Sequence, residues 1–277
     1  MDKQKILKID LTISLVGFDE KLCVNNEDSP LNPVLLESWD FTTGVPRDKW
    51  ATGSQNGGAL NFSKGFLNGV YPVGGGVPMW AVYTPTEALD QVYIEFDARM
   101  SSNVKHGLKF LKIFGKDTGV GYANFTTGLD YTGVDNGSLQ AVSFGDGVNH
   151  ENDTGSVILL NGAYPTWIGR SYGSASVATP QSTAWASSNW GTDWHHFKMM
   201  FKYNSGSTTE NEVADGEFYL NIDGLDYVVA SGLFNSNPGN TKEIKSIELL
   251  GYSNGTASDS FTIDYDNVVF SKGGFMS

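Results

Sequence analysis

The sequence predicts an all-β chain: an antiparallel β-sandwich of jelly-roll type, with long Gly/Ser/Asn-rich rim loops and an N-terminal β arm. Three observations carry this. Apolar and polar residues alternate in short runs, as in Tyr93-Ile94-Glu95-Phe96-Asp97-Ala98-Arg99-Met100. Successive strand side chains point to opposite faces, so such a run has one apolar and one polar face. Glycine is abundant (33 of 277 residues), and with Asn, Asp and Ser it separates most of the runs as turns do. No segment carries a convincing helical repeat over three turns. Many short strands with turn punctuation imply a sandwich or jelly roll.

Taken in order, residues 1–24 read as one or two strands. Apolar positions between Ile6 and Val16 alternate with Lys8, Asp10, Thr12 and Ser14. Asp10 interrupts what a secretory signal would keep apolar, so a strand is expected there and no signal peptide. Residues 25–35, with Pro30, Pro33 and a polar cluster, read as a linker. The expected division is a β arm and linker over 1–35 and a jelly-roll domain over 36–277. The arm either pairs with another chain or adds a strand to the main domain. Further strands are expected at 36–41, 59–62, 66–71, 79–84, 91–100, 107–114, 138–144, 156–160, 194–203, 216–222, 226–230, 244–252 and 260–270. Residues 115–190 are rich in Gly, Ser, Asn and Thr and suggest elaborated rim loops, where function concentrates.

Bulk properties narrow the partners. A net charge of −13 argues against a nucleic-acid backbone or an anionic membrane surface. No apolar window approaches the roughly 20 residues of a membrane-spanning helix. Cys23 is the single cysteine, so no intrachain disulfide can form. The chain is long enough to bury a sizeable core without such staples.

Three runs share one arrangement. In 93–100, 194–203 and 216–222, Phe, Leu, Ile and Met fall on one face. If the strands are adjacent, the other face gathers Glu95, Asp97, Arg99, His196, Lys198, Lys202, Glu217, Tyr219 and Asn221. That face is either an ordinary solvated surface or the floor of a groove for a polar polymer. Trp167, Trp185 and Trp190 sit among Gly, Ser and Asn, where they either stack on sugar rings or cap the core under long loops. Trp80 and Trp194 flank strands and read as core.

Several elements in chain order resemble the concanavalin A-like lectin/glucanase superfamily, in particular the jelly rolls of heparin lyase I, alginate lyases and glucuronan lyases. Trp39-Asp40-Phe41-Thr42-Thr43-Gly44 with Trp50 resembles the opening strand and turn. Tyr93–Met100 followed by His106–Gly115 resembles the paired inner strands. Trp194–Lys198, Asp215-Gly216-Glu217 and Ile222-Asp223-Gly224 resemble the late hairpin, and Phe261–Phe270 the closing strand. The resemblance spans about residues 36–271.

This resemblance implies a polysaccharide bound across the sheet. In lyases of this fold a cationic or amide side chain neutralises a uronate, and a Tyr or His moves the C5 proton. Arg99 would neutralise with Lys109 or Lys198 assisting, and His196 or Tyr219 would be the base. Glu95, Asp97, Arg99, Lys109 and Asn221, with Trp167, Trp185 and Trp190, would contact the glycan. Two signatures are missing. The alginate-lyase Gln-Ile-His is absent, and Met100 stands where the glucanase Glu-x-Asp-x-x-Glu needs its third carboxylate. A retaining glycosidase needs two suitably spaced carboxylates, so that activity is disfavoured. The resemblance also implies a structural Ca²⁺ near the first and last strands, with Glu37, Asp40, Asp264 and Asp266 as ligands.

The expected function is therefore a non-catalytic structural or recognition jelly roll. It would be displayed on a virion or extracellular surface as a decoration, fibre or tail component, binding glycan or neighbouring subunits. Residues 1–24 would add a strand to another copy or to a capsid or tail subunit. The alternative is a polysaccharide lyase that cleaves an acidic polysaccharide by β-elimination.

Overall fold

A computed structural model of the chain describes residues 32–44, 48–101, 108–115, 126–132, 138–143, 157–159, 176–178, 193–206, 211, 213–233, 241–257 and 259–277. The expectations placed on residues 1–24 and on Trp167, Trp185 and Trp190 lie outside the described residues. Among those described there are strands and turns but no helix, and the strands form two antiparallel sheets.

The larger sheet runs in the order β11 (Ser176–Ala178), β14 (Leu225–Leu233), β13 (Gly216–Ile222), β12 (His195–Lys202), β6 (Gln91–Met100), β17 (Phe261–Lys272), β4 (Leu67–Tyr71) and β3 (Ala59–Asn61). Strand β1 (Val34–Trp39) also pairs with β17. The smaller sheet runs β10 (Val157–Leu159), β9 (Ser138–Ser143), β8 (Thr126–Thr132), β7 (Leu108–Gly115), β15 (Ile244–Leu249), β5 (Gly74–Tyr83) and β16 (Tyr252–Ala257), with β2 (Trp50–Ser54) on β5.

The alternation seen in the sequence decides which face of each strand is buried. In β6, Val92, Ile94, Phe96, Ala98 and Met100 point inward. In β12, Phe197, Met199 and Phe201 do so, and in β13, Phe218, Leu220 and Ile222. They meet Leu111, Ile113, Ile247 and Leu249 of the smaller sheet in one continuous core. Phe96 stacks on Phe197 with ring centroids 5.0 Å apart, and Trp50, Tyr83 and Phe270 close one end. Burial of this apolar surface is the main term holding the sandwich together.

Four strands go beyond the expected set: β2, β8, β11 and, but for its first residue, β16. In β2, Gly53 weakens the strand pattern but is needed for packing. A Cβ there would come within 2.3 Å of the Trp80 ring, which lies across the strand. The run expected at 244–252 stops as a strand at Leu249, and β16 begins at Tyr252. Leu250 and Gly251 both adopt positive φ (77° and 29°) and turn the chain between β15 and β16. The Tyr71 hydroxyl, fully buried, donates to the Leu250 carbonyl at 2.7 Å, with the Gly251 carbonyl at 3.0 Å.

One expected pairing is corrected. β6 and β7 are not neighbours: β6 lies between β12 and β17 in the larger sheet, and β7 belongs to the smaller one. Both runs are too apolar to stay exposed, and they bury their apolar residues in the shared core from opposite sheets.

Candidate functional site

The outer face of the larger sheet carries the polar residues. Antiparallel register sets them in rows across the strands. The first row joins β3, β4, β17 and β6, where Asn61 stands opposite Asn68, Asn68 opposite Asp264, and Asp264 opposite Arg99. Asn61 Nδ2 donates to Asn68 at 3.2 Å, and Asn68 Nδ2 donates to Asp264 Oδ1. Arg99 Nε donates to Asp264 Oδ2 at 2.8 Å. The Arg99 guanidinium lies 4.4 Å from the Trp194 ring centroid and 5.0 Å from that of Phe66. Those two rings meet edge to face at 5.5 Å. The expectation that Trp194 is core is corrected: its residue is 37% exposed. It precedes β12 and spends its indole on Arg99 at the rim of the face.

The second row joins β17, β6 and β12. Asp97 stands opposite Asp266 on one side and His196 on the other. His196 Nδ1 lies 2.8 Å from Asp97 Oδ1, and Asn267 Nδ2 donates to Asp97 Oδ2 at 2.8 Å. Asn267 reaches Asp97 because β17 slips register after Asp266, with Asn267 at φ 48°. Burial pushes the Asp266 carboxyl above its ordinary value of 3.8; the Asn267 amide opposes this, and the charges of Asp97 and Asp40 add to it.

A tight turn steadies this row from the other end. Asp223 and Gly224 both have positive φ (54° and 80°), as a two-residue hairpin between β13 and β14 demands. The Asp223 carboxylate then accepts from the His196 backbone amide at 2.8 Å and lies 2.7 Å from His195 Nδ1.

The third and fourth rows carry Glu95, Lys198 and Asn221, then Tyr93, Met200 and Tyr219. Asn221 Nδ2 donates to Asp226 at 2.7 Å, and the Tyr219 hydroxyl donates to the same oxygen at 2.5 Å. Asn221 is 6% exposed and also accepts from the Gly224 amide, so it builds the turn. Glu95, expected to contact a glycan, lies on this face beneath other residues of the chain. It is 2% exposed because residues 275–277 fold back over it. Lys198 Nζ donates to the Ser277 carbonyl at 2.8 Å and lies 3.9 Å from Glu95.

The structure thus brings Arg99, Asp97, His196, Lys198, Tyr219, Asn221 and Glu95 onto one face, as expected. Lys109 is not among them, since it sits in β7 of the smaller sheet opposite Asp130. The four residues expected to hold Ca²⁺ are spread among other partners. Glu37 pairs with Lys49 at 3.0 Å, and Asp40 accepts from the amide and hydroxyl of Thr42, which lowers its pKa. Asp264 binds Arg99 and Asn68, and Asp266 accepts from the Asn267 amide. Among the described residues no three His, Cys, Asp or Glu side chains are gathered as a metal site needs.

Trp194, Phe66, Asn61, Asn68 and the segment 275–277 join the face without having been expected there. A sequence signal existed for Trp194, which directly precedes an alternating run. None marked the others, which arrive by tertiary contact.

No family model matches the chain, and no curated protein matches it. Solved structures do. The alginate lyase vAL-1 from Chlorella virus superposes with a TM-score of 0.53 at 12% identity, over 86% of this chain and 99% of that one. A double mutant of the alginate lyase Aly36B in complex with alginate tetrasaccharide gives 0.51 at 15% identity, over 86% and 97%. The fold is therefore a β-sandwich jelly roll like that of these two solved structures.

Proposed function

We propose that this jelly roll is a carbohydrate-recognition module that binds a glycan along the outer face of the larger sheet, starting from Trp194. The observation that carries this is the Trp194–Arg99–Phe66 stack, with an indole 37% exposed beside a guanidinium held by Asp264. An indole offers a flat apolar surface to the C–H face of a sugar ring, and the Asn61–Asn68 row beside it offers amides to hydroxyls. The groups a lyase would need are engaged elsewhere. Arg99 is committed to Asp264, Lys198 to Ser277 and Tyr219 to Asp226. The solved alginate lyases of this fold support a polysaccharide as the ligand class.

Titration of alginate, glucuronan and neutral β-glucan oligosaccharides into the protein tests this reading. Binding that Trp194→Ala weakens at least about tenfold is the expected result. Binding indifferent to Trp194, or none across the panel, would sink it.

A second reading, polysaccharide lyase, is favoured by His196 alone. Its Nδ1 is held 2.8 Å from Asp97 Oδ1, and its side chain is 40% exposed. It predicts a rise in ultraviolet absorbance from an unsaturated uronide, lost in His196→Ala. Display on a virion or other assembly through residues 1–24 belongs to the proposal as well. It rests on the sequence pattern alone, and light scattering of the full chain against a variant starting at Pro33 tests it.

A further inference from the structure

Among the described residues, the ion pairs on the outer face of the larger sheet each match one cation with one carboxylate. Arg99 Nε lies 2.8 Å from Asp264 Oδ2, and Lys202 Nζ lies 3.0 Å from Glu217 Oε1. Lys198 Nζ lies 3.9 Å from Glu95 Oε2. Asp97 and Asp266, opposite each other on β6 and β17, are left over from this matching. Their printed partners are amides and one imidazole. The Asn267 side chain donates to Asp97 Oδ2 at 2.8 Å, and the Asn267 backbone amide donates to Asp266 Oδ1 at 2.8 Å. His196, charged only when protonated, holds Nδ1 2.8 Å from Asp97 Oδ1. Burial, and after it the charges of Asp97 and Asp40, raise the Asp266 carboxyl above its ordinary value, as a negative potential at that spot requires.

This acidic row borders the Trp194 stack. Asp97 and Arg99 are two residues apart on one strand, about 7 Å at the usual rise, and share its outer face. A glycan running from Trp194 along β6 passes Asp97 and Asp266 next. Ionised carboxylates only accept hydrogen bonds. The hydroxyls of a neutral sugar can donate to them. A uronate replaces the C6 hydroxyl with a carboxylate, so a donor is exchanged for an acceptor and like charges meet. The Asp97 side chain is 24% exposed, so the repulsion acts through water over about a Debye length, roughly 8 Å at physiological salt.

We propose that Asp97 and Asp266 are specificity-determining residues of this face: they accept a neutral hexose polymer beside Trp194 and repel its uronate counterpart. This rests on the carbohydrate reading above and narrows its ligand class.

The test is calorimetric titration of two matched pairs of β-1,4-linked hexamers: glucose against glucuronic acid, and mannose against mannuronic acid. Within each pair the sugars differ only in oxidation at C6. At low salt the full chain is expected to bind one neutral hexamer at least about tenfold tighter than its acidic partner. Trp194→Ala should weaken that binding. Added salt should narrow the gap by strengthening the acidic hexamer alone. Asp266→Asn should tighten the acidic hexamer about threefold or more and leave the neutral one within about twofold. Asp97→Asn should act in the same direction. Acidic hexamers bound as tightly as neutral ones, with Trp194→Ala still weakening them, overturn the inference and leave the carbohydrate reading standing. A neutral preference that neither salt nor Asp266→Asn alters overturns the role of these carboxylates. Binding by none of the four hexamers also overturns the inference; the carbohydrate reading falls with it only when the wider oligosaccharide panel is silent too.

Discussion

Arg99 reaches across the seam between β6 and β17 to Asp264, Nε to Oδ2 at 2.8 Å, while its guanidinium faces the Trp194 ring. One side chain therefore ties the sheet and shapes its rim. Asp264 is 7% exposed, so removing its cation leaves a nearly buried carboxylate with Asn68 as its remaining side-chain donor in the row. Arg99→Ala should destabilise the fold by about 1–2 kcal/mol, less than for a fully buried pair because the arginine keeps solvent contact. Urea unfolding measures this. Arg99→Lys should recover part of the stability and none of the planar stacking against Trp194.

Gly53 is a packing residue of the smaller sheet. A methyl group added there lies 2.3 Å from Trp80 Cζ2 and 2.6 Å from Cε2, so the indole must move off β2. Gly53→Ala should cost about 1–3 kcal/mol, and tryptophan emission should shift toward that of a solvated indole. An unchanged spectrum and melting point would refute this account of the glycine.

Asp266 gives the stability a specific acid dependence. Its folded pKa is raised from 3.8, chiefly by burial. The native state therefore holds its proton more tightly than the unfolded state does. This contribution favours folding at low pH and is lost as pH rises from the unfolded value through the folded one. Asp266→Asn should accordingly be more stable than the parent at pH 7. The difference should shrink below pH 4, as chemical denaturation at the two pH values will show.

The buried tyrosines predict the alkaline limit. Burial pushes Tyr83 up to about 12 and raises Tyr71 and Tyr265 well above the ordinary value of 10. Phenols raised in the folded state release their protons first in the unfolded state, so stability falls as pH climbs past the ordinary value of 10. Phenolate absorbance from these residues should appear together with unfolding, not before it. Tyr71→Phe, which leaves the Leu250 carbonyl short of a buried donor, should cost about 1–2 kcal/mol at neutral pH.

The inner and outer faces of β6, β12, β13 and β17 were legible because alternation is a local property. Ile94, Phe96, Phe197 and Leu220 reveal the core before any neighbour is known. Strand β2 was hidden because Ala51, Thr52 and Gly53 are small, and the need for Gly53 becomes visible only with Trp80 across the strand. The break at Leu250-Gly251 was hidden because leucine reads as a continuing strand, whereas its positive φ is held by a contact from Tyr71. Trp194 was misread on residue type, which favours burial for indole; the arginine that draws it to the rim lies on another strand. The cover over Glu95 comes from residues more than 180 positions away, beyond any local pattern. The candidate face was thus legible in its charged members and illegible in what lies on top of them.

Strand β17 bonds β6 on one side and both β1 and β4 on the other. The larger sheet therefore cannot close until residues near position 270 are available to pair with residues near position 35. A ribosome making this chain must release almost all of it before the central seam can form, while β6 and β12 wait with their aromatic faces uncovered. Folding should be slow for the size of the protein, and during synthesis the nascent chain should lean on a holding chaperone.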